Sequence, residues 1–375
     1  MSRIFFAPSK YVQGAGAIHS IGKYAEKLGK KALLVGGKTA LSTCEETMQH
    51  CLHEKNLACH QELFNGECAD REINRLVHVC KEQGVDFIIA AGGGKVIDTG
   101  KSVSHEMKIP IIVVPTTAAT DAPCSGEAVI YTDDGVFERE IVLAKNPDCV
   151  LVDTAIIARA PTVFLVSGMG DALATYWEAD TCVKSNKPNV LTGEFPPTLT
   201  AITLARLCYD TLLEHGLMAK LAVEQNAVTP SVEAIVEANT LLSGLGFESG
   251  GLAAAHSIHN GFTVLKNSSK TYHGQKVAFG TIVQLVLEGR PSADINDVMD
   301  FCLSIGLPVC LEDLHILKPT REDIRKVAEA ACAEEETIHA SWFPVTPEMV
   351  EDAIWTSNAL GKECKKTQLI RAHEL

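Results

Sequence analysis

The chain has 375 residues, of which 46% are hydrophobic and 21% are charged, a composition typical of a globular protein and not of a disordered or fibrous one. Its 47 acidic residues outnumber the 33 lysines and arginines, and the formal net charge is −14. This charge argues against a nucleic-acid partner and against an anionic membrane surface, because both require a basic face.

The sequence predicts a cytoplasmic protein. Its N-terminal apolar stretch is too short for a signal peptide, and no apolar run reaches the roughly 18 residues that span a membrane. The 13 cysteines are scattered without a Cys-x-x-Cys pair, so we expect neither a disulfide framework nor a thiolate zinc site. We interpret them as reduced thiols packed in the core.

The first 155 or so residues alternate between strand-like and helix-like patterns. Predicted strands lie at 31–37, 56–64, 86–91 and 109–115, predicted helices at 39–55, 69–83 and 95–107, and a hairpin at 127–132 and 136–143. Continuous apolar strands separated by amphipathic helices indicate parallel pairing with both faces of the sheet covered. We therefore predict a doubly wound α/β domain at the N-terminus.

The strand pattern stops after Asp153, and the remainder is predicted to be helical. Thr320 with Asp323 forms a capping box, and Thr346 precedes a proline suited to a first helical turn. We expect two domains, because a single core usually stops growing at this length. The predicted domains are a dinucleotide-binding α/β domain at 1–160 and an all-α metal- and substrate-binding domain at 161–375.

A buried strand runs through three glycines into a helix at residues 88–98. Gly93 and Gly94 would let a backbone approach a pyrophosphate, and the helix N-terminus that includes Lys95 offers free N–H groups and the positive end of a dipole. The pattern is neither G-x-G-x-x-G nor a Walker A loop. The alternative is a tight strand-to-helix turn that binds no ligand.

A polar loop follows another predicted strand at residues 116–125. Ligands of open parallel sheets bind at the carboxyl ends of the strands, where Thr116, Thr117 and Ser125 could contact phosphate, amide or ribose groups. Asp121 could bind a substrate hydroxyl. Since Thr, Asp and Ser are also common loop formers, a capped loop without ligand is the alternative.

Asp171, His256 and His273 form a set of candidate metal ligands. One carboxylate and two imidazoles suit Zn²⁺ and leave a position for substrate or water. Their spacing is not itself a motif, and each histidine taken alone could be an ordinary hydrogen-bonded residue.

Taken together, these segments resemble the glycerol dehydrogenase branch of the metal-dependent, iron-type alcohol dehydrogenases, which share the dehydroquinate synthase-like fold. The resemblance spans nearly the whole chain and rests on Gly92-Gly93-Gly94-Lys95-x-x-Asp98, Pro115-Thr116 to Ser125, Gly170-Asp171-Ala172, Gly250-Gly251-Leu252-Ala253-Ala254-Ala255-His256 and His273-Gly274-x-Lys276-Val277-Ala278-Phe279-Gly280. It implies dinucleotide contacts from Gly94, Lys95, Asp98, Thr116, Ser125 and Tyr131. It further implies that Asp121 contacts substrate and that Asp171, His256 and His273 hold zinc.

One departure from the iron-dependent relatives concerns the metal. They usually place a histidine four residues after the metal aspartate, where this chain has Thr175. Three protein ligands favour zinc, with two sites open to a vicinal diol, over a four-ligand iron site. His259, one helical turn beyond His256, could face the same cavity and touch substrate or nicotinamide.

A second group of departures lies in the cofactor and substrate region. NAD-specific members commonly carry an aspartate at the end of the strand that corresponds to 31–37, where this chain has Gly37 followed by Lys38. Without a carboxylate that would repel a 2′-phosphate, NADP is not excluded, and the choice between NAD and NADP stays open. Ala119 and Glu127 also replace a serine and a leucine common in glycerol dehydrogenases.

The expected activity is the reversible, zinc-dependent transfer of a hydride between a small polyol or hydroxyketone and a nicotinamide dinucleotide, with glycerol and dihydroxyacetone as the first candidates. One alternative is a dehydrogenase of the same fold that acts on a 2-oxo acid or another hydroxycarbonyl compound. Another is a sugar-phosphate cyclase, which would need more basic side chains than these segments offer. We expect a homo-oligomer without a nucleic-acid or membrane partner.

Overall fold

The structure, a computed structural model, describes residues 2–189, 191, 195–265 and 270–373. By its contacts the chain divides into two units. The sheet unit comprises Phe6–Leu165 and Leu221–Gly244, and the helical unit comprises Met1–Phe5, Val166–Lys220 and Leu245–Leu375. The domain boundaries predicted from the sequence, 1–160 and 161–375, stay a prediction. In the structure, Leu221–Gly244 belongs to the sheet unit.

The strands of the sheet unit follow the predicted α/β pattern. They are β1 (Tyr11–Gly14), β2 (Lys31–Gly36), β3 (Ala58–Leu63), β4 (Phe87–Gly92), β5 (Ile111–Pro115), β6 (Glu127–Tyr131), β7 (Phe137–Val142) and β8 (Cys149–Asp153). Six of them form a parallel sheet in the order β1-β8-β5-β4-β2-β3, while β6 and β7 form the predicted antiparallel hairpin. Sequence patterning did not find β1, a half-buried edge strand of four residues.

The connection from β5 to β8 contains the hairpin of β6 and β7, whereas each earlier connection between parallel strands contains a helix, and one more helix follows β8. The helices have the following bounds. They are α1 (Ile21–Ala25), α2 (Lys38–Glu54), α3 (Asp70–Gln83), α4 (Gly94–Met107) and α5 (Thr154–Ile157). Neighbouring residues of a strand point to opposite faces, and Leu33 and Leu34 of β2 have no exposed surface, nor do Ile88 and Ile89 of β4. Both faces of these central strands are therefore covered. The predicted doubly wound fold is confirmed.

The order of the strands creates a switch point between β2 and β4. The chain goes from β2 to β3 on one side, then returns to β4 on the other side of β2 and continues outward to β5. Gly36 pairs with Ala91, and Gly92 pairs with Pro115, so the three strands end at one level. Ligands of open α/β sheets bind beyond the carboxyl ends of strands at such a point.

The rest of the chain is helical, as predicted. The helices are α6 (Thr162–Ser185), α7 (Leu199–Glu224), α8 (Pro230–Glu237), α9 (Ser243–Gly250), α10 (Ala254–Phe262), α11 (His273–Leu287), α12 (Ser292–Ile305), α13 (Arg321–Ala331) and α14 (Pro347–His373), and a π-helical turn at Ala238–Leu242 joins α8 to α9. The described residues of the helical unit contain no strand. The capping box of Thr320 and Asp323 starts α13 as predicted.

The core of the helical unit lies where α10 and α11 meet α13 and α14. The rings of Phe262 and Phe279 are 5.9 Å apart at its centre, and both are fully buried. Over the part of the chain that the structure describes, no helix combines the length and the apolar character needed to cross a membrane.

Candidate functional site

The carboxyl edge of the parallel sheet brings together most of the residues predicted to bind a dinucleotide. Gly37 follows β2 as the N-cap of α2, and Gly93 follows β4 as the N-cap of α4. Neither N-cap has a side-chain hydrogen bond to its helix. Because the first N–H groups of a helix have no partner within it, these two helix starts can receive phosphate oxygens.

The protein's own packing does not require glycine at positions 93 and 94. A Cβ at Gly93 would lie 3.7 Å from Thr117 Oγ1, and one at Gly94 would lie 3.6 Å from Thr120 Oγ1, both ordinary contacts. Neither residue has a positive φ. The space beside this turn is therefore open, which fits the approach of a pyrophosphate.

Gly92, the last residue of β4, is different. A Cβ there would lie 2.8 Å from Val96 Cγ2, so packing of the strand against α4 already explains this glycine.

Side chains of the same edge add charge and hydroxyl groups. Lys95 Nζ lies 2.6 Å from Glu67 Oε2 and 5.5 Å from the centre of the Tyr131 ring. Thr116 and Thr117 follow β5, and the Thr116 N–H donates a 3.0 Å hydrogen bond to the last carbonyl of β4. Lys95 is half-exposed, so its ammonium is accessible to an anionic ligand.

Asp98 takes a more internal position than the other predicted cofactor residues. It is 6% exposed; its Oδ2 accepts a hydrogen bond from the Val129 N–H at 3.2 Å. Its Oδ1 lies 2.9 Å from Lys101 Nζ, an ion pair without hydrogen-bond geometry. A direct contact between Asp98 and the dinucleotide stays a prediction. In the structure, Asp98 is hydrogen-bonded to the backbone of β6.

Lys101 is a buried residue that the sequence analysis missed. Its ammonium donates to the carbonyl oxygens of Ala122 at 2.9 Å, of Ser125 at 3.4 Å and of Glu127. Ser125, 1% exposed, is part of this cluster through its hydroxyl, which lies 3.3 Å from the same ammonium. Lys101 therefore holds the loop after β5. The sequence feature that could have indicated this role is a lysine one helical turn after Asp98, in a stretch whose other residues are small and uncharged.

Asp121 is held by a second residue that the sequence analysis missed. Ser243 Oγ donates a 2.6 Å hydrogen bond to Asp121 Oδ2. Glycine at 244 permits the close packing, since a Cβ there would lie 3.0 Å from both Asp121 O and Cys124 Cβ. The carboxylate predicted to bind substrate is thus held at Oδ2 by Ser243, the first residue of α9.

Three helices of the helical unit bring the predicted metal ligands together. Asp171 lies in α6, His256 in α10 and His273 at the first position of α11. Asp171 Oδ1 lies 3.0 Å from His273 Nε2 and 3.4 Å from His256 Nε2, and a ligand atom from each residue lies within 4.8 Å of the other two. Among the described residues this is the one cluster of its kind.

Two glycines next to the candidate ligands explain why α6 and α11 can approach so closely. A Cβ at Gly170 would lie 2.4 Å from Gly274 O, and a Cβ at Gly274 would lie 1.8 Å from Ser167 O. Any side chain at either position would separate the helices. In Gly170-Asp171 and in His273-Gly274, a candidate ligand is therefore the sequence neighbour of the glycine that lets the two helices approach.

The donor set fits a cation. Asp171 is 1% exposed, and its Oδ2 is buried without a hydrogen-bond partner. Leaving a buried carboxylate oxygen unsatisfied is costly, so this atom favours a positively charged ligand. The His273 side chain is 39% exposed, which leaves one side of the cluster open. Three N and O ligands with an open side are typical of catalytic zinc.

Charge within the cluster shifts the pKa of two of its members. Burial alone would raise the pKa of the Asp171 carboxyl, but His273 and His256 hold it well below its usual range. Burial alone would lower the pKa of His256, but the Glu178 and Asp171 carboxylates raise it well above its ordinary value. A cation that binds here must displace a proton from His256.

His259 lies beside the candidate metal ligands, as the sequence suggested. Its ring centre is 4.3 Å from that of His273, and its Nδ1 lies 2.9 Å from Asn260 Oδ1. Because an amide oxygen only accepts, Nδ1 carries the hydrogen and Nε2 keeps its lone pair. Burial, together with His273 and Lys276, holds the pKa of His259 well below its ordinary value, so the ring is neutral.

Thr175 lies one turn after Asp171 and is 1% exposed. It packs against α9, since a Cβ at Gly246 would lie 2.6 Å from Thr175 Cγ2. The position that could carry a fourth ligand is thus occupied by a buried threonine.

Comparison with known proteins bears on the whole chain. Residues 8–154 match the family described as iron-containing alcohol dehydrogenase. A glycerol dehydrogenase of Citrobacter freundii is 46% identical over 97% of this chain and 99% of its own, and a glycolaldehyde reductase of Halobacterium salinarum is 47% identical over 97% and 100%. The crystal structure of a glycerol dehydrogenase from Schizosaccharomyces pombe superposes with a TM-score of 0.94 at 37% identity, covering 98% of this chain and 93% of that one.

Proposed function

The chain belongs to the iron-containing alcohol dehydrogenase family, and on that premise we propose that it oxidises glycerol to dihydroxyacetone with a nicotinamide dinucleotide and zinc. It is an alcohol dehydrogenase that acts on a CH–OH group. The observation that carries the choice of glycerol is the 46% identity with a glycerol dehydrogenase over nearly the full length of both chains. The cluster of Asp171, His256 and His273 supports the metal requirement.

In the proposed reaction, the substrate transfers a hydride from its carbinol carbon to C4 of the nicotinamide and releases the proton of its hydroxyl to water, and it becomes a ketone. When zinc is bound by Asp171, His256 and His273, it supplies Lewis acidity that makes an alcohol more acidic near neutral pH. Asp121 accepts a hydrogen bond from a substrate hydroxyl, while Ser243 holds its other oxygen. Neutral His259 offers the lone pair of Nε2 to substrate or nicotinamide.

Glycolaldehyde reduction is a second candidate activity. The glycolaldehyde reductase of Halobacterium salinarum is as similar to this chain as the glycerol dehydrogenases are, at 47% identity. Both substrates carry a hydroxyl next to the reacting carbon and differ by one carbon unit. The comparisons favour neither the 2-oxo acid dehydrogenase nor the sugar-phosphate cyclase.

Initial rates with glycerol, dihydroxyacetone, glycolaldehyde and a 2-oxo acid, each with both dinucleotides, test this proposal. We expect the highest kcat/KM for the glycerol and dihydroxyacetone pair. Faster turnover of glycolaldehyde would select the second candidate, and preferred turnover of the 2-oxo acid would refute both. A cytoplasmic location and a homo-oligomer stay predictions, and sedimentation of the purified protein would test the latter.

Cofactor choice gives a sharper prediction. Gly37 stands where an aspartate would bind the 2′-hydroxyl of NAD, and a Cβ there meets no atom within 4 Å. We expect NADP to be accepted at least comparably to NAD, and Gly37→Asp to shift preference toward NAD. A charge-assisted hydrogen bond contributes about 1.5 to 3 kcal/mol, so the ratio of kcat/KM should change by about tenfold or more.

The matched control is Gly37→Asn, which has nearly the same size and also caps α2 but carries no charge. It should change the ratio much less than Gly37→Asp. Strict NAD dependence of the parent, with less than about a twofold change in Gly37→Asp, would show that the adenosine ribose binds elsewhere.

A further inference from the structure

A carboxylate that the proposed reaction does not use directly lies behind one of the metal ligands. Glu178 is in α6, two helical turns after Asp171, and has no exposed surface. Three N–H groups converge on it. Its Oε1 accepts from the backbone N–H of Ala253 at 2.9 Å and of His256 at 3.0 Å, and its Oε2 lies 2.6 Å from His256 Nδ1.

The contact between Glu178 and His256 Nδ1 determines which ring nitrogen of His256 can bind a metal. An ionised carboxylate only accepts hydrogen bonds, so Nδ1 must carry a hydrogen. Nε2 is then the nitrogen that can present a lone pair, and it is the one 3.4 Å from Asp171 Oδ1. The two backbone N–H groups fix the carboxylate at the start of α10. The N-cap residue there, Ala253, makes no side-chain hydrogen bond to the helix, and Glu178 accepts from the backbone N–H groups instead.

We propose that Glu178 is a positioning residue for the metal: it holds His256 in the tautomer and orientation that present Nε2 beside Asp171. This inference rests on the metal site of the proposed function. Since α6 carries both Asp171 and Glu178, one rigid helix places a ligand and the group that orients the second ligand. Groups that orient a metal-binding histidine commonly contribute about 10- to 100-fold to metal affinity.

Glutamine at 178 cannot satisfy the same three donors. If its oxygen stays with the two backbone N–H groups, its NH₂ faces His256 Nδ1. That nitrogen must then accept, and Nε2 takes the hydrogen and no longer binds metal. If the amide turns over, its NH₂ faces two N–H donors at the start of α10. Either arrangement weakens the metal site while the side-chain volume stays the same.

The test is the dissociation constant of zinc alone, measured by chelator competition on the metal-free full chain, with circular dichroism to verify folding. Glu178→Gln should raise it by about 10- to 100-fold. Gln284→Met is the matched control, because Gln284 is also buried and its Oε1 accepts from the N–H of Ala255, the next residue of α10, at 2.9 Å. It should leave zinc affinity within about twofold of the parent.

A double-mutant cycle separates positioning from general support of the fold. In a His256→Ala background, Glu178→Gln should have no further effect on zinc affinity. If Glu178→Gln does not fold, Glu178→Asp replaces it, because its shorter carboxylate draws back from Nδ1; its dissociation constant should rise at least about fivefold.

The inference is overturned if the folded Glu178 variant binds zinc with the affinity of the parent. It is also overturned if Glu178→Gln weakens zinc binding as much in the His256→Ala background as in the parent. Asp171→Asn tests the metal site separately. Should Asp171→Asn also keep parental zinc affinity, the proposed metal site itself fails; should it lose zinc while Glu178→Gln keeps it, only the role of Glu178 fails.

Discussion

His273→Ala should abolish both zinc binding and alcohol oxidation while the protein stays folded. The His273 side chain is 39% exposed, so its removal leaves little buried space empty. It takes away one of three ligands and leaves Asp171 Oδ1 without its closest partner, at 3.0 Å. Loss of metal assistance costs several kcal/mol of transition-state stabilisation, which corresponds to a decrease in kcat/KM of about a thousandfold or more.

Metal content of the purified variants, circular dichroism and initial rates check this expectation. EDTA treatment of the parent should reproduce the loss, and added Zn²⁺ should restore activity to the parent but not to His273→Ala. His339→Ala is the control, since the side chain of this exposed histidine of the same unit contacts the Ala333 carbonyl, while its other described hydrogen bonds are made by its backbone and are kept in the variant. Full activity in His273→Ala would refute the assignment of the three ligands.

Gly94→Val should weaken dinucleotide binding by at least about 100-fold with little loss of stability. A side chain at the first residue of α4 has room against the protein, because its Cβ would lie 3.6 Å from the nearest atom, Thr120 Oγ1. It would instead occupy the space through which a pyrophosphate reaches the helix N-terminus. Loss of two charge-assisted hydrogen bonds at about 1.5 to 3 kcal/mol each accounts for the expected effect.

Calorimetric titration with each dinucleotide and a thermal melt separate affinity from stability. Gly100→Ala, later in the same helix, is the steric contrast: its Cβ would lie 2.5 Å from Ala90 Cβ, against the sheet. It should lower the Tm without changing the affinity of the folded protein. Unchanged dinucleotide affinity in Gly94→Val would mean that the phosphates bind elsewhere.

The elements of the fold were largely predictable from the sequence, because each is encoded by a pattern within a few residues of itself. The buried runs at β2, β4 and β5, the glycine turn into α4 and the capping box of α13 all depend on neighbours along the chain. The edge strand β1 was missed since four half-buried residues carry too little periodicity.

Candidate ligands could be named from residue type and from resemblance, but no spacing relates Asp171 to His256 and His273. Their convergence depends on how closely the helices pack: Gly170 and Gly274 permit the approach of α6 and α11, and Gly280 permits that of α10 and α11. No local sequence pattern predicts which helices pack against each other.

The residues that hold the candidate site residues in place show most clearly what the sequence determines and what only the tertiary structure decides. By itself the sequence determined the alternating α/β order, the helical remainder, the glycine turn and the chemical types of the ligands. Only the tertiary structure decided that Ser243 holds Asp121, that Lys101 holds the loop after β5 and that Glu178 orients His256. A hydrogen bond between residues 78 or 122 positions apart leaves no periodic signal, because it is specified by the packing of whole elements.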